Sequence, residues 1–414
     1  MLHALLAGAV FVAAAAPDPQ TLSVEDLRRF ASVFREVQNS FVEPVSDQAL
    51  MQAAIRGLLS SLDPHSAYLA KADLETFSDD AAGNYGGLGL EVQVREGMLQ
   101  IVSPIDESPA ARAGLKSGDV ITRIDGKVLD GAHVYDGVEM LRGAPGSEVE
   151  LTVQRASDSP FAVKLMRELI QVKSVRGEPL PGGLGLIRIS AFQTDTVNST
   201  EAALRKLAAK QALRGLVLDL RSNPGGLLGA AVGVSDLFLN SGRIVETKGR
   251  QQTANLSFDA RKGDLLKGAP IVVLIDAGTA SASEIVAGAL QDHQRALIVG
   301  QASFGKGSVQ SILPLDNGDG IKLTTARYYT PNGRSIQAAG IKPDVPLAAG
   351  EFARASGALR PVSEADLPRH LAAAEGDSVD ASGANSDLTK DYAVYEAVNI
   401  LRAIAALKTN SAQH

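Results

Sequence analysis

Three short segments carry residues whose types and spacing could do chemistry. The first, APIVVLIDAGTASASEIVAGALQDH (269–293), reads as a buried strand, a small-residue turn and a helix starting near Ser281. A serine there sits beside free backbone N–H groups and the positive end of the helix dipole, which favour developing negative charge. The N–H of the next residue, Ala282, could serve as one oxyanion donor. Ser281-Ala-Ser-Glu284 is also a capping box, so this turn alone reads equally as nucleophile or cap. The second segment, RALIVGQASFGKGSVQ (295–310), is a strand, a glycine-flanked turn and an extended run. Strand parity puts Lys306, Ser308 and Gln310 on one face. A lysine boxed by glycines and apolar strands can be desolvated, which lowers its pKa toward that of a general base. Gln310 could then accept a hydrogen bond from that amine and fix its direction. A lone lysine in a turn is otherwise an ordinary solvated charge. The third segment, LVLDLRSNPGGLL (216–228), runs a strand into a Pro-Gly-Gly turn. An N–H from Gly225 or Gly226 could complete an oxyanion hole there, although the turn by itself is equally a plain tight turn.

Rival chemistries fit less well. Gly300 to Ser308 nearly matches the phosphate-binding G-x-x-x-x-G-K-[ST]. Position 307 is glycine where a magnesium-binding hydroxyl belongs, and no helix is expected to follow, so a nucleotide site is rejected. A histidine base is also poorly served. His293 lies about three helical turns beyond Ser281, His65 and His133 fall in other modules, and His3, His370 and His414 lie in tails. A Ser-Lys pairing is the better hypothesis.

These segments need elements to position them. GLGLIRIS, RGLVLDLRS, APIVVLIDA and RALIVG are buried-type strands, with helical stretches at 199–212 and 282–294, which predicts an α/β layered core over 171–347. Upstream, 23–79 is helical: Leu27, Phe30, Val33, Phe34 and Val37 follow the i, i+3, i+4 spacing, and Asp63-Pro64 stops a second helix. Residues 84–168 change to short glycine-punctuated strands with two helices, ending in the strand SEVELTVQR. Residues 350–389, rich in Ala, Ser, Gly and acids, read as a flexible linker, and 390–408 as a closing amphipathic helix. The fold class is therefore an α/β (α+β) multidomain chain.

Composition bounds the rest. The 414 residues, 45% hydrophobic and 21% charged, suit two or three domains with sizeable cores. A formal charge of −7 leaves no basic footprint for nucleic acid. The chain has no cysteine, which excludes disulfides, zinc-thiolate sites and thiol nucleophiles. No metal and no cofactor is called for. Residues 1–16 form an apolar run ending in Ala14–Ala16, too short for a comfortable span. They read as a signal peptide or membrane tether, which places the protein in the periplasm or outside the cytoplasm, although no basic residue precedes the run.

Taken together, LDPHSAYL (62–69), YGGLGLEV (85–92), SPAARAGLKSGDVITRIDG (108–126), DLRSNPGGLL (219–228), GTASASEIVAGALQDH (278–293), FGKGSVQ (304–310) and ARYYTPNGRSIQAAGIKPDV (326–345) resemble the carboxyl-terminal processing peptidases, or tail-specific proteases. The resemblance implies a serine endopeptidase in which Ser281 is the nucleophile, Lys306 the base and Gln310 its orienting partner. Thr279 stands where serine is common. It also identifies 84–168 as a PDZ domain inserted beside the catalytic core, with Tyr85, Gly86, Gly87, Leu88 and Gly89 as the loop that captures a substrate's C-terminus while the peptide adds a strand. Arg142 could couple that domain to the protease. Protein substrates with exposed C-termini, a homo-oligomer built through the terminal helices, and an adaptor protein are the implied partners. A catalytically silent or latent tail-binding scaffold is the alternative.

Overall fold

The computed structural model describes residues 23–348 and 391–411, apart from 96, 106, 130–133, 157, 172, 210 and 262. The expected signal segment 1–16 and linker 350–389 lie outside the described residues.

The chain divides into two compact units, 1–68 and 69–414. In the first, α1 (Val24–Ser40) starts at Ser23, whose hydroxyl accepts the Asp26 N–H at 3.0 Å. Helix α2 (Asp47–Ser60) starts the same way at Ser46. Asp63 then turns the chain, its carboxylate accepting the His65 and Ser66 N–H groups. The apolar stripe of α1 is mostly exposed, with Leu27, Phe30, Val33 and Val37 open and Phe34 partly buried. The short strand β1 (Ala67–Leu69) follows.

The second unit begins with α3 (Lys71–Ala82) and β2 (Asn84–Gly87). A β-rich module follows: β3 (Leu90–Arg95), β4 (Met98–Pro104), α4 (Pro109–Arg112), β5 (Val120–Ile124), β6 (Lys127–Val128), α5 (Val134–Leu141), β7 (Glu148–Gln154) and β8 (Phe161–Met166). Its sheet runs β3-β4-β5-β7-β8. Alternate residues of β7, Val149, Leu151 and Val153, point into a core with Leu99, Ile121 and Ile124. SEVELTVQR, expected to be the last strand of the module, is not. The chain continues through β8 and then β9 (Glu168–Gln171), which returns to pair with β2 and closes the module.

The core sheet is built from β10 (Val175–Leu180), β11 (Leu184–Ile189), β12 (Gly215–Asp219), β15 (Ile271–Ile275), β16 (Ala296–Gly300) and β19 (Val345–Pro346), in the order β10-β11-β12-β15-β16-β19. All neighbours but β10 are parallel. Between these strands lie α6 (Thr196–Ala208), α7 (Leu228–Asp236) and α8 (Ala282–Asp292). The continuous apolar runs of β12 and β15 have a simple cause, since both faces are buried. Leu216, Leu218, Ile271 and Val273 pack with α7 and α8, whereas Val217, Val272, Leu274 and Val299 pack under α9 (Tyr392–Ser411) through Val394, Ala397, Val398 and Leu401. A second sheet joins β13 (Arg243–Gly249), β14 (Leu256–Asp259), β17 (Ser308–Pro314) and β18 (Gly320–Tyr329). Among the described residues, no helix is long and apolar enough to cross a membrane.

Candidate active site

Parallel strands deliver their C-terminal ends to one edge of a sheet, and the turns after β12, β15 and β16 meet there. Ser281 caps α8 at φ 55° and ψ −112°, a conformation that costs an L-residue about 1–3 kcal/mol. A buried network holds the turn in that state. Thr279 donates its hydroxyl to the Leu220 carbonyl and accepts the Asp276 N–H, both at 2.9 Å. Asp276 in turn accepts the Ser222 and Gly278 N–H groups. Burial pushes the Asp276 carboxyl up, but those bonds hold it below the usual carboxylate range.

Glu284 is the hub. It is fully buried, and each of its oxygens accepts two hydrogen bonds. Oε2 takes the backbone N–H of Ser281 at 2.7 Å and of Lys306 at 2.9 Å; Oε1 takes the Gly305 N–H at 2.7 Å and the Ser303 hydroxyl at 2.6 Å. One carboxylate oxygen therefore ties the backbones of the two expected catalytic residues together. The capping box of the sequence is present in its Glu284 half, and it reaches two turns rather than one.

Lys306 is half-buried, and its pKa is lowered, first by desolvation and then by the like charge of Lys322. Gly307 lets the chain pass here, because a Cβ on it would stand 2.3 Å from the Gln337 backbone nitrogen. Gln310 follows in β17. Its amide nitrogen donates to the Ser308 hydroxyl at 2.9 Å and the Thr324 hydroxyl at 3.3 Å; the carbonyl oxygen takes no part in these bonds. Ser308 and Gln310 do share a face, as strand parity required.

The turn after β12 lies directly against the serine. A Cβ on Gly225 would come within 2.8 Å of the Ser281 Cβ. The Gly225 N–H is already spent on the Asn223 side chain at 2.9 Å, so it does not point outward as an oxyanion donor. Gly226 and Ala282 make no such bond among the described residues. Asn223 also binds the Ala280 N–H and the Ser283 hydroxyl through its own carbonyl.

Tyr328 was not singled out from the sequence. It is buried beside Ser281, and burial pushes its pKa up to about 12, with the serine pulling the other way. Its N–H donates to the Gly307 carbonyl. Only its place in the ARYYTPNG stretch could have drawn attention to it.

The expected carboxylate-binding loop is mostly strand. Tyr85, Gly86 and Gly87 belong to β2, paired with β9, and only Leu88 and Gly89 connect to β3. A groove of about 250 Å³ opens between β3 and α5, lined by Leu90, Val92, Val138 and Leu141, with Tyr85 and Leu88 at its end. Arg142 lies over the Tyr85 ring, 5.4 Å from its centroid. Among the described residues β3 pairs only with β4, which leaves its outer edge open to an added strand.

Residues 183–347 match the family model for peptidase family S41, 100–155 that for a PDZ domain, and 11–73 that for the N-terminal domain of the activating protease CtpB. A carboxy-terminal-processing protease of Bartonella bacilliformis is 47% identical over 325 residues, covering 78% of this chain and 75% of the relative. The chain belongs to peptidase family S41. A CtpA-like serine protease of Staphylococcus aureus is 39% identical over 326 residues, covering 78% of this chain and 65% of that protein. A protein from Bacteroides fragilis assigned to the S41 proteases shares the fold, with a TM-score of 0.51, 18% identity, and coverage of 80% and 92% of the two chains. As an S41 member with a PDZ domain, this chain is a serine-type peptidase whose substrates are peptides or proteins. The S41 match spans the turns carrying Ser281 and Lys306, and the PDZ match includes α5 and its groove wall.

Proposed function

We propose that this S41 peptidase is an exported endopeptidase that recognises protein C-termini through its PDZ domain and cleaves with a Ser-Lys dyad. The observation that carries the reading is the shared Glu284 oxygen, which holds the Ser281 and Lys306 backbones at one point. Lys306, its pKa lowered by burial, takes the proton from Ser281 as the serine attacks the scissile carbonyl. The N–H groups of Ala282 and Gly226 stabilise the oxyanion. Lys306 passes the proton to the leaving amine, and water then hydrolyses the acyl-enzyme. Gln310 directs the amine through its carbonyl oxygen once the lysine swings toward it. The working division is 1–16 signal or tether, 23–79 helical region, 84–168 PDZ domain, 171–347 protease core, 350–389 linker and 390–408 terminal helix. The exposed apolar stripe of α1 supports a homo-oligomer, and an adaptor protein is a further candidate partner.

A latent resting state has its own support: Gln310 is bonded through its amide nitrogen to Ser308 and Thr324, and Tyr328 lies beside Ser281. One experiment addresses both readings. Cleavage of an unfolded protein with an apolar C-terminus is compared for wild type, Ser281→Ala and Lys306→Ala, with and without a separate C-terminal peptide. Cleavage by wild type alone is expected, since such residues act as a unit. Cleavage only after peptide addition marks the latent form. Near-normal activity in Lys306→Ala would sink the dyad.

A further inference from the structure

An ion ladder stands at the end of β12, beside the turn that carries Gly226. Asp219, nearly fully buried, accepts from Arg188 Nη1 at 2.7 Å and from Arg221 Nε at 2.9 Å and Nη2 at 2.8 Å. The outer side of the Arg221 guanidinium grips Asp391, with Nη1 3.1 Å from Oδ1 and Nη2 2.7 Å from Oδ2. Asp391 in turn accepts the Ala393 and Val394 N–H groups and so caps α9. Arg221 is fixed in its backbone as well: its N–H donates to Asp219 and its carbonyl accepts Arg188 Nη2. The next residues are Ser222, held at φ 54°, and Asn223, whose carbonyl binds Ala280 and Ser283 beside the nucleophile.

We propose that Asp391 is a positioning residue for the reaction. Through Arg221, the first turn of α9 fixes the Ser222–Gly226 turn and with it the oxyanion donor. A planar guanidinium held by carboxylates on two edges loses its freedom to rotate, and that order passes to the backbone it extends from. Helix α9 lies on the sheet face away from α8. The ladder is thus a polar route from that face to the site, separate from the apolar packing of Val398 and Leu401. The inference rests on the reading of Gly226 as oxyanion donor.

Asp391→Asn is the informative variant, because asparagine caps a helix as well as aspartate does while the ion pair is lost. In the full chain, hydrogen exchange of the bonded Ser222, Asn223 and Gly225 amides within 222–226 is expected to speed up severalfold. Cleavage of the unfolded substrate should lose about tenfold in kcat with KM within about twofold. Arg221→Gln added to Asp391→Asn should cost less than the two separate losses combined. Val398→Ala is the structural control: it should lower the unfolding midpoint while leaving exchange in the turn and kcat near wild type. Unchanged exchange at 222–226 in Asp391→Asn overturns the proposal, as does an equal loss of kcat in Val398→Ala. If exchange accelerates but the wild type cleaves nothing, the coupling stands and the protease reading is what fails.

Discussion

At their working surfaces the protease core and the PDZ module use polar groups in opposite ways. In the core, Glu284, Asn223, Thr279 and Asp219 are all buried, and each spends its hydrogen-bonding capacity on the protein itself. Such a network is rigid when complete and costly when broken. In the PDZ module the groove is left open: among the described residues β3 has an unused edge, and the groove walls Leu90, Val92 and Val138 are only partly buried. Chemistry needs atoms held in place before the substrate arrives, whereas tail capture needs unsatisfied edges and apolar walls that the tail completes. A substitution in the buried polar network of the core should therefore act on turnover and stability together. One in the groove should act on binding alone.

The sharpest break of that contrast is Glu284→Gln. The amide keeps one acceptor oxygen and turns an NH2 toward two N–H donors, leaving buried groups unpaired at a cost of about 3–5 kcal/mol. Calorimetric unfolding should show a destabilised core, and cleavage should fall at least about a hundredfold. Binding of a C-terminal peptide should stay near wild type. A Glu284→Gln protein that is both stable and active would show that the Glu284 bonds are not what holds the two turns.

Val138→Asp is the counterpart in the groove. A carboxylate there is set into an apolar groove beside Leu90 and Val92, so peptide affinity should drop by about 2 kcal/mol or more. Titration with a fluorescent peptide reads the loss directly. Short substrates that need no tail capture should be cleaved at the wild-type kcat. Loss of kcat on those substrates would mean that the two regions are not separable in this way.

How far the sequence reaches follows from the same physics. The buried strands were legible because burial on both faces leaves unbroken apolar runs, and the glycine-flanked Lys306 and small-residue turn at Ser281 declare tight backbone approaches. Helix α7 was not, because LGAAVGVSD is small and apolar all round and has no amphipathic period. Strands β8 and β9 lie beyond the polar break at Ala156–Pro160, where the pattern stops looking like one module. Glu284 was visible only as a cap, since its bonds to Ser303, Gly305 and Lys306 depend on how β16 returns beside α8. Tyr328 and Asp391 act through contacts far apart in the chain, and local spacing carries no trace of them. The choice between Gly225 and Gly226 stays open in the sequence for the same reason: which of two adjacent N–H groups is free depends on the side chain of Asn223.

A smaller effect tests the lysine. Lys322 is the like charge that, after desolvation, lowers the Lys306 pKa. Lys322→Gln removes it, so the Lys306 pKa rises and less of the neutral base is present at a given pH. The acid limb of kcat/KM should move to higher pH, with the alkaline plateau unchanged. An acid limb that stays in place would assign it to another group.

The smallest expected effect lies at the groove's mouth. Arg142 stacks on Tyr85 in the open, where such a cation–π contact is worth about 0.5–1 kcal/mol. The pKa of Tyr85 is raised by burial, with Arg142 pulling the other way. Arg142→Ala should therefore weaken peptide binding by no more than about fivefold. If Arg142 serves only the groove, cleavage of tail-less substrates and the peptide dependence of activity should both stay as they were. If it couples the two regions, peptide binding will persist in Arg142→Ala while stimulation by the peptide is lost. That outcome would join regions that the hydrogen-bond pattern keeps distinct, because a residue outside the buried network would be controlling what the network does.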